Sequence, residues 1–266
     1  MKTKTTLLLL SFVSIFFLTD TYAQTPRCGV VNTAFASGER IEYNLFFRMG
    51  IRVPAGRGTV TINAATFNGQ PAYRADMTMG TTGAVNVLHS FNEVSSVYVD
   101  RNLRPLRYER ETHERSHITE SQTFSYDGGR IQVQTIRHIN NELRFDEVLT
   151  PDECTFDIFS ILLFVRNLDF GNMNEGDRIR VQFVNGRRLS DMYVNFLGTS
   201  TIRVGGNRQE VINVSMTILE DAFTNPQEAI SASLTNDANR IPVVINTNLR
   251  IGSVRAEMRS ATGLRN

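Results

Sequence analysis

The residues best suited to chemistry are His113, Glu114 and His117, which spell the H-E-x-x-H pattern of zinc peptidases. On a helix the two histidines would share one face and bind zinc, with the glutamate as general base. The flanking residues carry no apolar helical stripe, and Thr123 stands where the extended pattern has a third histidine. If 105–126 is extended instead, the two histidines lie about 13 Å apart at ~3.3 Å per residue, too far to share a metal. We therefore expect an exposed polar strand or hairpin without a metal, with a zinc metallopeptidase as a remote alternative.

Two cysteines, Cys28 and Cys154, are the other reactive side chains of interest. In an exported chain two cysteines most simply form one disulfide, here closing nearly half of the sequence. Closing so long a loop stabilises a protein by about 5 kcal/mol on the chain-entropy model. Two free thiols or a redox pair are the alternatives, although a thioredoxin-like site would need a much closer spacing. Neither cysteine has a nearby histidine, and no G-x-S-x-G motif occurs, so we expect a protein without enzyme activity or cofactor.

The N-terminus has the three-part layout of a secretory signal. Lys2 and Lys4 give a positive start, an apolar run follows at 7–18, and small residues precede a cut between Ala23 and Gln24. The run is too short to span a bilayer comfortably, although a retained N-terminal anchor is the alternative. We expect the first 23 residues to be a signal peptide, and the rest to be soluble in the periplasm without a transmembrane segment.

Positive charge beyond this signal comes from arginine alone, because both lysines of the chain lie within it. The formal net charge of the whole chain is +1, which argues against nucleic-acid binding and against strong attachment to anionic lipid. Arginine recurs at every third position at Arg101, Arg104, Arg107 and Arg110. Pro105 favours an extended chain that divides them between two faces, so we expect solvated, cross-strand ion pairs.

Apolar and polar residues alternate along most of the chain, which is typical of half-buried β-strands. Strands are expected, among others, at 41–47, 94–99, 105–113, 117–126, 130–139 and 212–218. Turn signals separate strands at 127–129, 185–186 and 205–207. Together they predict an all-β chain in which strands follow one another through short turns.

The segment 154–165 breaks this alternation with a dense apolar run, bounded by Thr155 and Arg166. Since it is apolar nearly all round, it predicts one short buried helix. A buried central strand is the alternative.

These patterns predict a single β-rich domain over 24–266. A sheet with so many strands must curl or split, so we expect a strongly curved antiparallel sheet, or a partly open barrel or sandwich, with one short buried helix. In the last strand, at 249–258, the apolar phase changes at 252–253, where we place a β-bulge. An outer-membrane barrel is the alternative, which the helix in mid-chain and the absence of an aromatic girdle near the C-terminus oppose.

Several short motifs along the chain resemble the uncharacterised bacterial family called domain of unknown function 3108. They are the strand opening at 38–43, the strand 94–99 followed by Asp100, Leu103 and Pro105, the runs 157–160 and 163–166, the pair 176–177, and Ser233, Asp237 and 241–243. The resemblance covers about residues 35–258. Many relatives have a tryptophan near 234–237, whereas this chain has none. The resemblance implies an exported β protein and brings no catalytic residue.

We expect a non-enzymatic exported envelope protein whose curved sheet binds an apolar ligand, such as a lipid or acyl chain, or a partner protein. A concave apolar sheet covered by one helix leaves a natural pocket. The alternative is a structural or assembly module without a ligand, which acts through an envelope partner.

Overall fold

The computed structural model describes residues 28–218, 230–248 and 252–266. The expected signal peptide and its cleavage between Ala23 and Gln24 lie outside the described residues, so both stay predictions.

The described chain consists mostly of β-strands, with two short α-helices. The first nine strands are β1 (Glu39–Met49), β2 (Ile51–Phe67), β3 (Gln70–Thr81), β4 (Asn92–Asp100), β5 (Pro105–His113), β6 (His117–Asp127), β7 (Arg130–Ile139), β8 (Glu142–Leu149) and β9 (Thr155–Phe156). The other strands are β10 (Arg178–Asn185), β11 (Arg188–Val204), β12 (Asn207–Ile218), β13 (Ile230–Thr235), β14 (Pro242–Asn248) and β15 (Ser253–Thr262). The helices are α1 (Gly83–Leu88) and α2 (Ser160–Val165), and a 3-10 turn covers Phe170–Asn172.

All these strands belong to one sheet, in the order β8-β7-β6-β5-β4-β3-β2-β1-β15-β14-β13-β12-β11-β10-β9. Strands that follow one another in sequence pair in the sheet, and β1 pairs with β15 in its middle. The pairs are antiparallel except for β9 with β10, which is parallel. The sheet is therefore a meander that begins and ends at its centre and reaches both edges in mid-chain.

The sheet curls until its two edges approach each other. Thr135 on β7 donates a hydrogen bond to the carbonyl of Gly186 in the β10–β11 turn, at 3.0 Å. Arg187 Nη2 in the same turn lies 2.7 Å from Glu147 Oε1 on β8. We call this junction between β7–β8 and the β10–β11 turn the seam. No strand pairing crosses it among the residues described, so the predicted strongly curved, unclosed antiparallel sheet is confirmed.

Helix α2 lies inside the curve and contacts both halves of the sheet. Ile161 and Phe164 pack with apolar residues of β10–β13. Leu163 and the preceding Phe159 pack with apolar residues of β2–β5. Because α2 is apolar on nearly every side, its opposite faces pack against the two halves of the sheet.

The predicted strands at 94–99, 105–113, 117–126 and 130–139 correspond to β4, β5, β6 and β7. The turn expected at 127–129 connects β6 to β7, and Gly128 and Gly129 adopt φ of +52° and +84° there. Tight hairpins need positive φ, which glycine adopts without steric cost. These parts of the prediction are confirmed.

The segment predicted as one helix divides into a strand and a helix. Thr155 and Phe156 form β9, which pairs with β10, and α2 begins only at Ser160. The prediction of one short buried helix is confirmed for 160–165, whereas the alternative of a buried central strand is wrong, because β9 is a two-residue strand at the edge of the sheet. Apolar periodicity could not separate the halves, because both are buried on all sides.

Two further features differ from the prediction. Helix α1 was not expected, since it buries none of its residues and so has no amphipathic pattern. The β-bulge at 252–253 is wrong: Asn248 on β14 pairs with Ser253 on β15, so Gly252 belongs to a turn between two strands. Residues 249–251, which precede Gly252, lie outside the described residues. Gly252 has φ of +75°, which suits a turn.

Candidate functional site

The start of α2 is organised by Asp157. Its Oδ1 accepts hydrogen bonds from the backbone N–H groups of Phe159 and Ser160, both at 2.8 Å. These N–H groups have no acceptor within the helix, and the carboxylate supplies one at the point where the chain turns into α2. Asp157 is fully buried, and desolvation raises the pKa of its carboxyl above the ordinary value.

The end of α2 is held by a buried ion pair between Arg166 and Glu39, at the start of β1. Arg166 Nη1 and Nη2 lie 2.6 and 2.9 Å from the two carboxylate oxygens of Glu39, and Nη2 also donates to the carbonyl of Asn239. The side chains are 3% and 0% exposed. Desolvating both charges opposes their attraction, so the pair mainly fixes geometry. It fixes α2 relative to the middle of the sheet.

Between α2 and the inner face of the sheet, side chains leave a cavity of about 270 Å³, which we call the α2 cavity. Its walls come from β1–β3 and β12–β15 on one side and from α2 on the other. The residues that line it include Leu45, Val60, Met77, Ile161, Leu162, Ile245, Val254 and Ala256. One water molecule needs only about 10–15 Å³ of such volume, so the cavity has room for a ligand much larger than water. The cavity is therefore suited to a small apolar molecule or to part of an acyl chain.

Charged side chains mark one end of the α2 cavity. Glu93 on β4 and Arg110 on β5 both line it. Glu93 accepts hydrogen bonds from Ser95 Oγ at 3.2 Å and from Thr112 Oγ1 at 3.0 Å. Arg110 Nη2 lies 3.4 Å from Oε2 of the buried Glu120. The negative charges of Glu93 and Glu120 thus lie close to the positive charge of Arg110, while most other residues that line the cavity are apolar.

This polar end retains spare hydrogen-bonding capacity. Within the described chain, neither the buried hydroxyl of Tyr108 nor Nε of Arg110 makes a well-aligned hydrogen bond. Burial raises the pKa of the Tyr108 hydroxyl, while the nearby charge of Arg110 acts against that rise. Both groups are therefore donors at neutral pH, available to a polar atom placed beside them.

The spacing of the arginines predicted a solvated face with cross-strand ion pairs at 101–110. The structure differs from this prediction at individual arginines. Arg107 Nη2 lies 2.8 Å from Glu109 in an exposed pair, but both residues are on β5, so this pair does not cross strands as expected. Arg110 does pair across strands with Glu120, as expected, but its side chain is 28% exposed and Glu120 is buried, so this pair is not fully solvated. The position of Arg110 follows from strict alternation with the buried Tyr108 on the same strand.

The H-E-x-x-H residues lie on the outside, away from the α2 cavity. His113 ends β5 and His117 begins β6, so the helix that a zinc peptidase needs is absent from 105–126. The estimate of 13 Å is wrong, because the chain turns between the two residues and pairs them directly, with ring centroids 4.4 Å apart. Glu114 lies in the turn, where its Oε1 is 2.7 Å from Nε2 of His89.

Sequence reasoning identified α2 but missed Glu39, Glu93 and Arg110 as interior groups. Glu93 shares the inward phase of Ser95, Val97 and Val99, all buried in β4. A charged residue in the apolar phase of a strand is thus the signal that could have found Glu93. Glu39 likewise shares the buried phase of Ile41 and Tyr43 in β1, so the same signal could have found it. Its partner Arg166, 127 residues away, could not be found from any local pattern.

The disulfide lies close to the seam. The structure joins Cys28 to Cys154, with their Cα atoms 4.9 Å apart. Cys28 packs with Phe124, Val133 and Val184, so the bridge links the segment before β9 to apolar residues on both sides of the seam.

The architecture defines a class of protein: a large, open, curved antiparallel sheet that encloses one helix and an apolar cavity. Residues 41–259 match the family model described as protein of unknown function, DUF3108. The chain belongs to this family, which confirms the resemblance inferred from its motifs. A comparison with curated proteins found no match.

Several solved structures are similar to this chain, including the following two. One is a beta-barrel-like protein of domain of unknown function DUF1849 from Brucella abortus, with a TM-score of 0.56 and 10% identity over 88% of this chain and 100% of that one. The other, from Bacteroides fragilis, is described as a candidate exported protein with a YmcC-like fold. It has a TM-score of 0.37 and 9% identity over 88% of this chain and 99% of that one. The first likeness supports the barrel-like fold alone.

The described part of the chain contains no helix long and apolar enough to cross a membrane.

Proposed function

We propose that this chain is a non-enzymatic protein of the bacterial envelope that holds an apolar ligand, a lipid or acyl chain, in the α2 cavity. The observation that carries the proposal is a mostly apolar cavity of about 270 Å³ whose lining includes three charged residues, Glu93, Arg110 and Arg166. Binding sites for small molecules combine mostly apolar walls with a few polar groups that orient the ligand. Arg110 and Glu93, which line the cavity, supply such polar groups, and the buried Tyr108 shares the inward phase of Arg110 on β5.

The energetic cost of the cavity supports a role in binding. Space left between apolar side chains deprives them of packing contacts and so lowers stability. Larger side chains at Gly58 or Ala256, which line the cavity, could recover part of that stability. Small residues at such positions indicate that the space serves a purpose.

The position of α2 supports a preformed cavity. The ion pair of Arg166 with Glu39 at one end and the hydrogen bonds of Asp157 at the other fix the helix against the sheet. A site fixed in this way loses little conformational entropy when a ligand binds. For localisation we propose the periplasm, on the basis of the N-terminal signal pattern and the cysteine pair.

The test is to identify what the protein carries. The mature chain is secreted, purified without detergent and extracted with organic solvent, and the extract is analysed by mass spectrometry. We expect about one lipid or acyl chain per protein. Protein stripped of lipid should then bind a fluorescent fatty-acid probe in a saturable manner.

A matched pair of variants locates the binding. Ala256→Phe places a ring in the α2 cavity and should abolish probe binding while the variant stays folded. Ala64→Phe makes the same change at an exposed position of β2 and should bind as the wild type does. Absence of both bound lipid and probe binding in the wild-type protein would contradict the proposal and favour an assembly module.

A further inference from the structure

All four histidines of the chain lie around the tip of the β5–β6 hairpin. His113 and His117 face each other across it. His89 contacts Glu114 in the turn, and His138 lies on β7 opposite Thr119 of β6. This group of histidines lies outside the curve of the sheet, and none of the four lines the α2 cavity.

Glu111 completes a group of three metal-ligating side chains with His113 and His117. Their ligand atoms all lie within 4.8 Å of one another. Glu111 Oε1 is 2.8 Å from His117 Nε2 and 3.8 Å from His113 Nε2. The two imidazoles are stacked with their planes 17° apart. Both histidines thus direct the same nitrogen to one carboxylate oxygen.

The backbone holds these residues in place before any ion arrives. Residues directly opposite in an antiparallel pair have Cβ atoms about 5 Å apart, which suits two side chains converging on one point. The backbone N–H of His117 donates to Asn140 Oδ1 at 3.0 Å, and its carbonyl accepts from the N–H of Asn140 at 2.8 Å. β4 and β7 pair with the hairpin on either side. Donors on a framework of this kind need little reorganisation to bind.

The donor set and its spacing fit zinc. Zn²⁺ takes imidazole nitrogen and carboxylate oxygen at about 2.0–2.2 Å in a tetrahedral arrangement, which places neighbouring donors about 3.3 Å apart. The two distances from Glu111 Oε1, 2.8 and 3.8 Å, lie on either side of that value. Bringing all three donors to one ion requires the two stacked imidazoles to rotate, because nearly parallel rings do not direct their nitrogen lone pairs to one point, whereas the backbone can stay as it is. The exposed position of the group leaves the remaining ligand position to solvent.

We propose that Glu111, His113 and His117 form a Zn²⁺ site at the tip of the β5–β6 hairpin, with water as the fourth ligand. The site joins β5 to β6 through their side chains, directly beside the turn that connects the two strands. It is a binding site and not a peptidase centre, because Glu114 is engaged with His89 and the two histidines lie on strands. The inference does not depend on the proposed function.

The test is a zinc titration of the untagged mature chain after treatment with EDTA, followed by calorimetry and by NMR of the histidine side chains. We expect one Zn²⁺ per chain. The ¹H–¹⁵N imidazole signals of His113 and His117 should shift, while those of His89 and His138 stay in place. His113→Gln and His117→Gln should each weaken binding by at least about tenfold, since even outer-shell changes at metal sites cost 10- to 100-fold.

The matched control is His138→Gln, the same substitution on the neighbouring strand and outside the group of three. It should bind zinc as the wild type does. The NMR experiment needs no variant, so a folding defect in a substituted chain leaves the test intact. An equal loss of affinity in His138→Gln, zinc-induced shifts in all four histidines, or no saturable binding to the wild type would each overturn the proposal.

Discussion

At the scale of single residues, burial decides the weight of a charge in this molecule. Arg180 and Asp191 form an ion pair in contact with solvent, where water screens the interaction. Arg166 and Glu39 form a pair that water does not reach. Removing one partner of such a pair leaves an uncompensated charge in the interior. Similar side chains therefore have very different effects in the two places.

Arg166→Met should lower the free energy of unfolding by about 3–5 kcal/mol, because it leaves the carboxylate of Glu39 buried without its partner. Urea unfolding followed by circular dichroism measures the change. The double variant Arg166→Met/Glu39→Gln should recover part of the loss, since it removes the unpaired charge. Glu142→Gln, at the exposed pair with Arg144, is the control and should leave the unfolding midpoint unchanged. A single variant as stable as the wild type would show that the ion pair does not hold α2.

The same contrast explains which residue roles could be predicted. Cys28 and Cys154 could be paired from their number alone, because two cysteines in an exported chain leave one simple arrangement. The distance between His113 and His117 was wrong because it depended on where the strand breaks. Three residues of turn bring the two imidazoles into contact. A role that depends on chain direction needs the fold first.

At the scale of elements, the seam is the place where pairing gives way to side-chain contacts. The β10–β11 turn meets β7 and β8 through one hydrogen bond, one ion pair and the ring of Phe145, over which Arg137 and Arg187 both lie. None of these is a backbone ladder, so each is weaker than the strand pairs on either side. We infer that the nearby disulfide stabilises this junction most.

Replacing both Cys28 and Cys154 with serine should lower the free energy of unfolding by up to about 5 kcal/mol. The bridge spans 126 residues, and its removal restores the entropy of that loop to the unfolded chain. Urea titrations of wild type and variant measure the difference, and hydrogen exchange should rise first in β8 and the β10–β11 turn. Reductant is the internal control, since it should reproduce the change in wild type and have no effect on the variant. Equal midpoints for the oxidised wild type and the variant would contradict this assignment.

Elements with a local signal were predictable, and those without one were not. The strands from β4 to β7 follow from alternation and glycine turns, because one face of each is buried and the turn chemistry is explicit. The boundary between β9 and α2 depends on Asp157 and on the pairing of β9 with β10, which is a tertiary contact. Gly252 was misplaced because a phase change has the same appearance whether it marks a bulge or a turn.

At the scale of the whole molecule, the curvature of the sheet follows from the number of its strands, whereas the α2 cavity does not. A sheet this wide must curl, so composition and turn spacing were enough to predict an open barrel. Whether its interior is filled depends on how the side chains of β1–β3 and β12–β15 meet α2. In the structure the interior is filled in part: packed clusters lie on both flanks of α2, and a cavity remains beside it.

The prediction of one domain has its sharpest test in α2, because this helix packs against both halves of the sheet. Ile161 belongs to the cluster with β10–β13, and Leu163 to the cluster with β2–β5. If the chain unfolds as a unit, Ile161→Ala and Leu163→Ala should each lower the free energy of unfolding by about 2–5 kcal/mol within a single transition.

Tyrosine fluorescence and circular dichroism should then report the same urea midpoint for each variant, since no tryptophan is present to favour one region. Val148→Ala, at an exposed position on β8, serves as the control and should leave the midpoint in place. If Leu163→Ala instead separates the two signals into distinct transitions, the halves of the sheet fold independently and the chain has two domains. Because α2 is the internal contact shared by the two halves, either substitution tests whether the helix couples them.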